Sequence, residues 1–167
     1  MHKTLATEVG RLLVKKKLWL VIAESCTGGL ISHYITNIPG SSEYYAGGVC
    51  VYSYEAKRML VGVKPATLTN FGAVSKETVE EMALGVRKLF SKEFPVDGLV
   101  SISVSGIAGP GGGMPNKPVG LVWMALSTAN GTWAFEHIFP GNREAVKEQS
   151  AVIALTHLHD YLNEKNY

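Results

Sequence analysis

Apolar side chains recur along this chain with two different periods, and the alternation between them predicts its elements. From Thr4 to Lys16, the residues Leu5, Val9, Leu12 and Leu13 fall on one helical stripe, with Thr4 as the expected N-cap. The run Leu18 to Ala23 is apolar throughout and rich in β-formers, as a strand covered on both faces should be. It stops at Glu24. Ser25-Cys26-Thr27-Gly28-Gly29 then leads into Leu30, Ile31, Tyr34 and Ile35, again at helical spacing, up to Pro39-Gly40. Strand, tight turn and helix thus follow one another.

Gly47 to Ser53 reads as a second strand, and Glu55 to Val61 as a short helix whose first turn brings Lys57 near that strand's carboxyl end. Ser75 opens a helix with Glu77 and Glu80 near its positive end and Val79, Met82, Leu84, Val86 and Leu89 for burial, ending around Phe94-Pro95. Leu99 to Val104 is another buried strand, running into the glycine-rich loop from Ser105 to Gly113. Two strands, Val119 to Ser127 and Thr132 to Phe139, precede a closing amphipathic helix over Asn142 to Asn163. Helices separate the early strands and a hairpin-like pair comes late. The expected fold is one α/β domain, a three-layer α/β/α sandwich with a mixed, mostly parallel sheet. Ligands in open α/β sheets sit beyond the carboxyl ends of strands. The two richest loops, after Ala23 and after Val104, both leave such ends.

Composition narrows the function. A chain of 167 residues, 46% hydrophobic and 18% charged, can bury a core and holds one domain. Its formal charge of +2 leaves no broad basic stripe, so general nucleic-acid binding is not expected. Lys15, Lys16 and Lys17 read as a solvated helix end. Met1 to Leu13 is charged and mixed, unlike a signal peptide, which makes the cytoplasm the expected compartment. No run approaches the ~18 uninterrupted apolar residues of a membrane span. Cys26 and Cys50 lack CxxC spacing and the histidines are scattered, so neither a metal nor another cofactor is expected.

Two constellations carry candidate chemistry. In the first, Glu24-Ser25-Cys26-Thr27-Gly28-Gly29, backbone N–H groups at a helix start can receive a phosphate or a developing oxyanion, and Glu24, Thr27, Gly28 and Gly29 are expected to line the substrate pocket. The spacing is neither that of a P-loop nor that of a dinucleotide fingerprint, and Ser25 or Thr27 could simply cap the helix. Ser25 as a nucleophile needs a base. No GxSxG elbow or well-placed histidine supplies one, whereas Lys57, desolvated in an apolar cleft, could take a hydroxyl proton. Taken alone, Lys57 also fits an ordinary surface lysine. Cys26 is a rival nucleophile, through a thiol pKa lowered at a helix start, or an inert buried residue. The second constellation runs from Ser105 and Gly106 through Gly109 to Gly113, followed by Lys117-Pro118-Val119-Gly120. Its glycines let backbone approach a ligand closely. Arg143 could reach a phosphate bidentately or be solvated, and Tyr52 could orient a substrate or be core.

At these residues the chain resembles the CinA C-terminal domain family, which includes stand-alone nicotinamide-nucleotide amidases. The segments that carry the likeness are AESCTGGLIS at 23–32, IPGSSEYYAGGVCVYSYEAK at 38–57, GVKPATLTNFGAVSKETVEEMA at 62–83, SVSGIAGPGGG at 103–113 and KPVG at 117–120. The resemblance implies a metal-free hydrolysis of nicotinamide mononucleotide to nicotinate mononucleotide and ammonia, in pyridine nucleotide salvage. It makes Ser25 and Lys57 the catalytic pair, with Tyr52 and the SGIAGP loop lining the pocket. It also implies a homo-oligomer whose partner is a small pyridine mononucleotide. One departure stands out: the family usually has asparagine where this chain has Tyr54. That keeps open an alternative, a weak or inactive paralogue that binds a nucleotide or serves competence or DNA-repair machinery.

Overall fold

In the computed structural model, which describes residues 2–165, the apolar run after Lys17 forms β1 (Trp19–Glu24). Its alternate side chains are buried on opposite faces. Leu20 and Ile22 meet α1 (His2–Lys16), α2 (Leu30–Thr36) and α6 (Arg143–Leu162). Val21 and Ala23 meet the other layer: Val61 of α3 (Tyr54–Val61), Leu68 of α4 (Pro65–Phe71), and Met82 and Val86 of α5 (Lys76–Phe90). Burial of each such aliphatic side chain contributes about 1.5–3 kcal/mol, which explains why the run is apolar on both faces. The sheet is completed by β2 (Tyr45–Cys50), β3 (Leu99–Gly106), β4 (Leu121–Thr128) and β5 (Gly131–Ile138), in the order β2-β1-β3-β4-β5. β1 runs parallel to both β2 and β3, and β4 runs against both β3 and β5. Four of the five strands therefore share one direction, in a mixed sheet with helices on both sides.

The connections position the site. The chain leaving β1 turns to α2 on one face, and the chain leaving β2 turns to α3 on the other. Such a reversal opens a crevice at the carboxyl edge of the sheet. Ser25 leaves β1 and Lys57 lies in α3, so both flank it. Gly85 of α5 fixes how closely α3 can approach, because a Cβ there would lie 1.7 Å from the carbonyl oxygen of Val61.

Several elements depart from the sequence expectation. The first helix begins by His2, so Thr4 lies inside it and is not its N-cap. β2 ends at Cys50, short of Ser53, because the carbonyls of Val51 and Tyr52 turn out of the sheet to accept hydrogen bonds from Lys57 Nζ at 2.8 and 3.1 Å. α4 was not expected; Pro65 at its start presets the backbone and Lys64 precedes it. On α5, Leu84 is 49% exposed and Arg87 is buried in the position a leucine would take. The Arg87 guanidinium donates to Leu99 O, Thr128 O, Val96 O and Ser127 Oγ, stitching α5 to the end of the β3–β4 pair where β3 begins and β4 finishes. No helix among the described residues is long and apolar enough to cross a membrane.

Candidate active site

Ser25 and Lys57 meet. Lys57 Nζ donates to Ser25 Oγ at 2.9 Å, and its other two protons go to Val51 O and Tyr52 O. The lysine is 1% exposed and the serine 6% exposed. Burial pulls the Lys57 amine down to about 8 from its ordinary value of 10.5. Both protonation states fit this cage. As an ammonium the group donates to all three oxygens; as a neutral amine its two protons serve the carbonyls and its lone pair faces the serine hydroxyl. A proton can thus pass from Ser25 to Lys57 without any heavy atom moving.

Cys26 behaves oppositely to a helix-start nucleophile. It is 5% exposed, and burial pushes its thiol up to about 12, which removes the thiolate at neutral pH.

Glu24, expected to line the substrate pocket, holds the turn instead. Its Oε2 accepts from the N–H groups of Gly29 and Ile31, and its Oε1 from the N–H and hydroxyl of Ser32. The first turn of α2 is therefore capped by the chain's own carboxylate, which takes the donors that were expected to receive a phosphate. Ser25 N–H is also engaged, with Val104 O at 3.0 Å, and Gly28 N–H with Ser25 O at 3.1 Å. What remains is the middle of the turn. The N–H of Thr27 meets no acceptor among the described residues, that of Cys26 faces only its own sulfur, and the buried Thr27 hydroxyl has no partner there either. Gly28 and Gly29 allow this tight path, with φ of 62° and 96°.

The other expected residues fall in two groups. Arg143, in the first turn of α6, donates from Nη1 to Gly109 O at 2.8 Å and from Nη2 to Tyr52 Oη at 2.9 Å. Arg143 and Tyr52 form an exposed rim anchored on the buried Gly109. Ser105 and Gly106 end β3. Ser101 and Ser103 on the same face donate to Ala83 O and Val79 O of α5. The Ser105 side chain, 1% exposed, has no hydrogen-bond partner among the described residues. Gly106 is in register with Val122, where a Cβ would come within 2.6 Å of Val122 Cγ2. Lys117 ties the glycine-rich loop down by donating to Phe71 O and Val74 O. Tyr54, half exposed, accepts from Ala73 N–H through its phenolic oxygen at 3.3 Å. Lys147 was not singled out from sequence; its Nζ lies 3.9 Å from where a Gly28 Cβ would be.

A cavity of about 400 Å³, bounded by Lys16, Asp97, Thr128, Asn130, Tyr161 and Glu164, lies at the opposite edge of the sheet and contains none of these residues. Among the described residues no group of three or more histidine, cysteine, aspartate or glutamate side chains could hold a metal ion.

Residues 2–162 match the CinA C-terminal domain. The chain belongs to that family. It is 49% identical over 154 residues, 92% of its length, to a CinA-like protein of Endomicrobium trichonymphae. It is 42% identical over 157 residues, 94% of its length, to a CinA-like protein of Thermotoga neapolitana. The match covers 35% and 37% of those two proteins, so the chain spans about a third of the length of these curated relatives. Solved structures agree in fold. A CinA superfamily protein from Klebsiella pneumoniae superposes with a TM-score of 0.91 at 34% identity, covering 98% of this chain and 99% of that one. A competence/damage inducible protein from Agrobacterium tumefaciens gives a TM-score of 0.88 at 37% identity, covering 97% and 95%.

Proposed function

We propose that this CinA-family domain is an amidohydrolase that converts nicotinamide mononucleotide to nicotinate mononucleotide and ammonia. The observation that carries the reading is the 2.9 Å contact between Lys57 Nζ and Ser25 Oγ, with the amine buried and its pKa drawn to about 8. In the first step Ser25 Oγ bonds to the carboxamide carbon as its proton passes to Lys57. The carbonyl oxygen becomes an oxyanion, for which the N–H groups of Cys26 and Thr27, free of backbone partners, are the available donors. Lys57 then returns the proton to the departing nitrogen, ammonia leaves, and an ester on Ser25 remains. Water attacks that ester with Lys57 again as base, releasing the acid and restoring the hydroxyl. No step calls on a metal.

The test is incubation with nicotinamide mononucleotide, following ammonia and separating the acid product. Stoichiometric ammonia and acid are expected, and their absence overturns the reading. A second reading draws on the relatives' names, which speak of competence and damage induction, and on Tyr54. In it the same cleft binds a pyridine nucleotide without turnover. Tight binding with no ammonia would favour it.

A further inference from the structure

Lys147 has no assigned task, and its position gives it one. It lies one helical turn beyond Arg143, on the same side of α6. Its ammonium stands over the turn that carries Ser25: beyond Gly28's own chain neighbours, Lys147 Nζ is the atom among the described residues that comes within 4 Å of a notional Cβ on Gly28, at 3.9 Å. Gly28 has a φ of 62° and presents bare backbone toward that ammonium. Lys147 makes no ion pair among the described residues.

Arg143 approaches the same turn from the rim. Two of its five N–H groups hold Gly109 O and Tyr52 Oη, which leaves three to donate elsewhere. The carboxylate in this region, Glu24, is spent on the first turn of α2 and does not neutralise either cation. Two cations, neither of them in an ion pair among the described residues, thus flank a turn that ends in glycine.

We infer that Lys147, together with Arg143, forms an anion subsite for the phosphate monoester of the substrate, and that Lys147 is what makes the site select a nucleotide over its nucleoside. The identity of the nucleotide rests on the amidase reading; the anion subsite does not. A phosphate held there by a point charge and a planar guanidinium leaves the rest of the molecule to reach toward Ser25. Lys147 positions substrate and takes no part in proton transfer.

The experiment measures equilibrium binding to the intact chain by calorimetry at low salt. The probes are nicotinate mononucleotide, which needs no turnover, its dephosphorylated nucleoside, and inorganic phosphate. The wild-type chain should prefer the mononucleotide to the nucleoside by at least about tenfold. Lys147→Met should weaken the mononucleotide and inorganic phosphate by about tenfold and leave the nucleoside unchanged, while Lys147→Arg should restore most of the loss. Added salt should shrink the wild-type preference. Equal weakening of nucleotide and nucleoside in Lys147→Met would reduce Lys147 to a structural role and overturn the proposal. So would unchanged phosphate binding, or no phosphate binding by the wild type. Should phosphate binding depend on Lys147 while neither pyridine compound binds, the subsite stands and the amidase reading falls.

Discussion

The cage around Lys57 predicts a pH limb in the reaction. A lysine acts as base only when neutral, and with a pKa near 8 about 1% is neutral at pH 6, about 9% at pH 7 and about half at pH 8. kcat/KM on nicotinamide mononucleotide should therefore climb about fiftyfold between pH 6 and pH 8 and level off above about pH 9. An unshifted lysine would instead keep gaining activity past about pH 10. Initial rates of ammonia release, at constant ionic strength, read the limb directly. Lys57→Arg keeps the charge and fixes a proton that does not leave, so kcat should fall by about a thousandfold, nearly as far as in Lys57→Met. Nucleotide binding by calorimetry should survive within about tenfold, or ~1.4 kcal/mol. A flat profile from about pH 6 to pH 8, or an arginine variant with near-normal kcat, refutes the base assignment and leaves Lys57 an electrostatic contact.

Ser25→Ala should abolish ammonia release while the folded protein still binds nucleotide, and Cys26→Ala should stay active; the reverse pattern would move the nucleophile to the thiol. Chelators should leave the rate unchanged, and a loss recovered by zinc or magnesium would contradict the metal-free mechanism. Glu24→Gln puts an amide donor against N–H or O–H donors at the start of α2 and should cost about 2–3 kcal/mol in urea unfolding; a cost under about 0.5 kcal/mol would show that the cap is replaceable. His157 Nε2 lies 2.9 Å from His137 Nε2, and burial, reinforced by that neighbour, pulls His157 down to about 4. Because the folded pKa lies below the unfolded one, stability is present above about pH 6.5 and is lost as pH falls toward about 4. His157→Gln should flatten that decline in thermal unfolding, and an unchanged slope would place its origin elsewhere.

Much of the fold was legible because strands buried on both faces leave uninterrupted apolar runs, as at Leu18 to Ala23, and because Ser75 and Asn142 cap their helices as their sequence positions suggest. α4 escaped because Pro-Ala-Thr-Leu-Thr-Asn-Phe carries too few apolar positions to show a period, although Pro65 marks its start. Leu84 was assigned to the core by spacing. The carbonyls of Val96, Leu99 and Thr128 and the Ser127 hydroxyl that hold Arg87 come from chain segments that helical period cannot foresee. The candidate site divides the same way. Ser25 could be picked out locally, as a hydroxyl at a strand end before glycines. Its meeting with Lys57 depends on the chain switching faces between β1 and β2. Glu24 looked like a ligand contact since an acid before a glycine turn carries no sign of which donors it will take.

The end of β2 joins fold and chemistry most closely. A strand ordinarily ends where its backbone groups lose their ladder partners, and those groups must then find others. Here the carbonyls of Val51 and Tyr52 find an amine delivered by α3, and the amine finds in them two of the three acceptors that its burial demands. Each cost offsets the other. The third direction, left over by that exchange, points at Ser25 Oγ. The lysine is thus held by main chain rather than by a carboxylate, and this matters for its acidity. A carboxylate partner would stabilise the ammonium and raise its pKa, whereas two neutral carbonyls leave desolvation as the dominant influence. Placing an acid beside Lys57 should therefore impair the site even with every present contact preserved, because the proton would no longer leave near neutral pH.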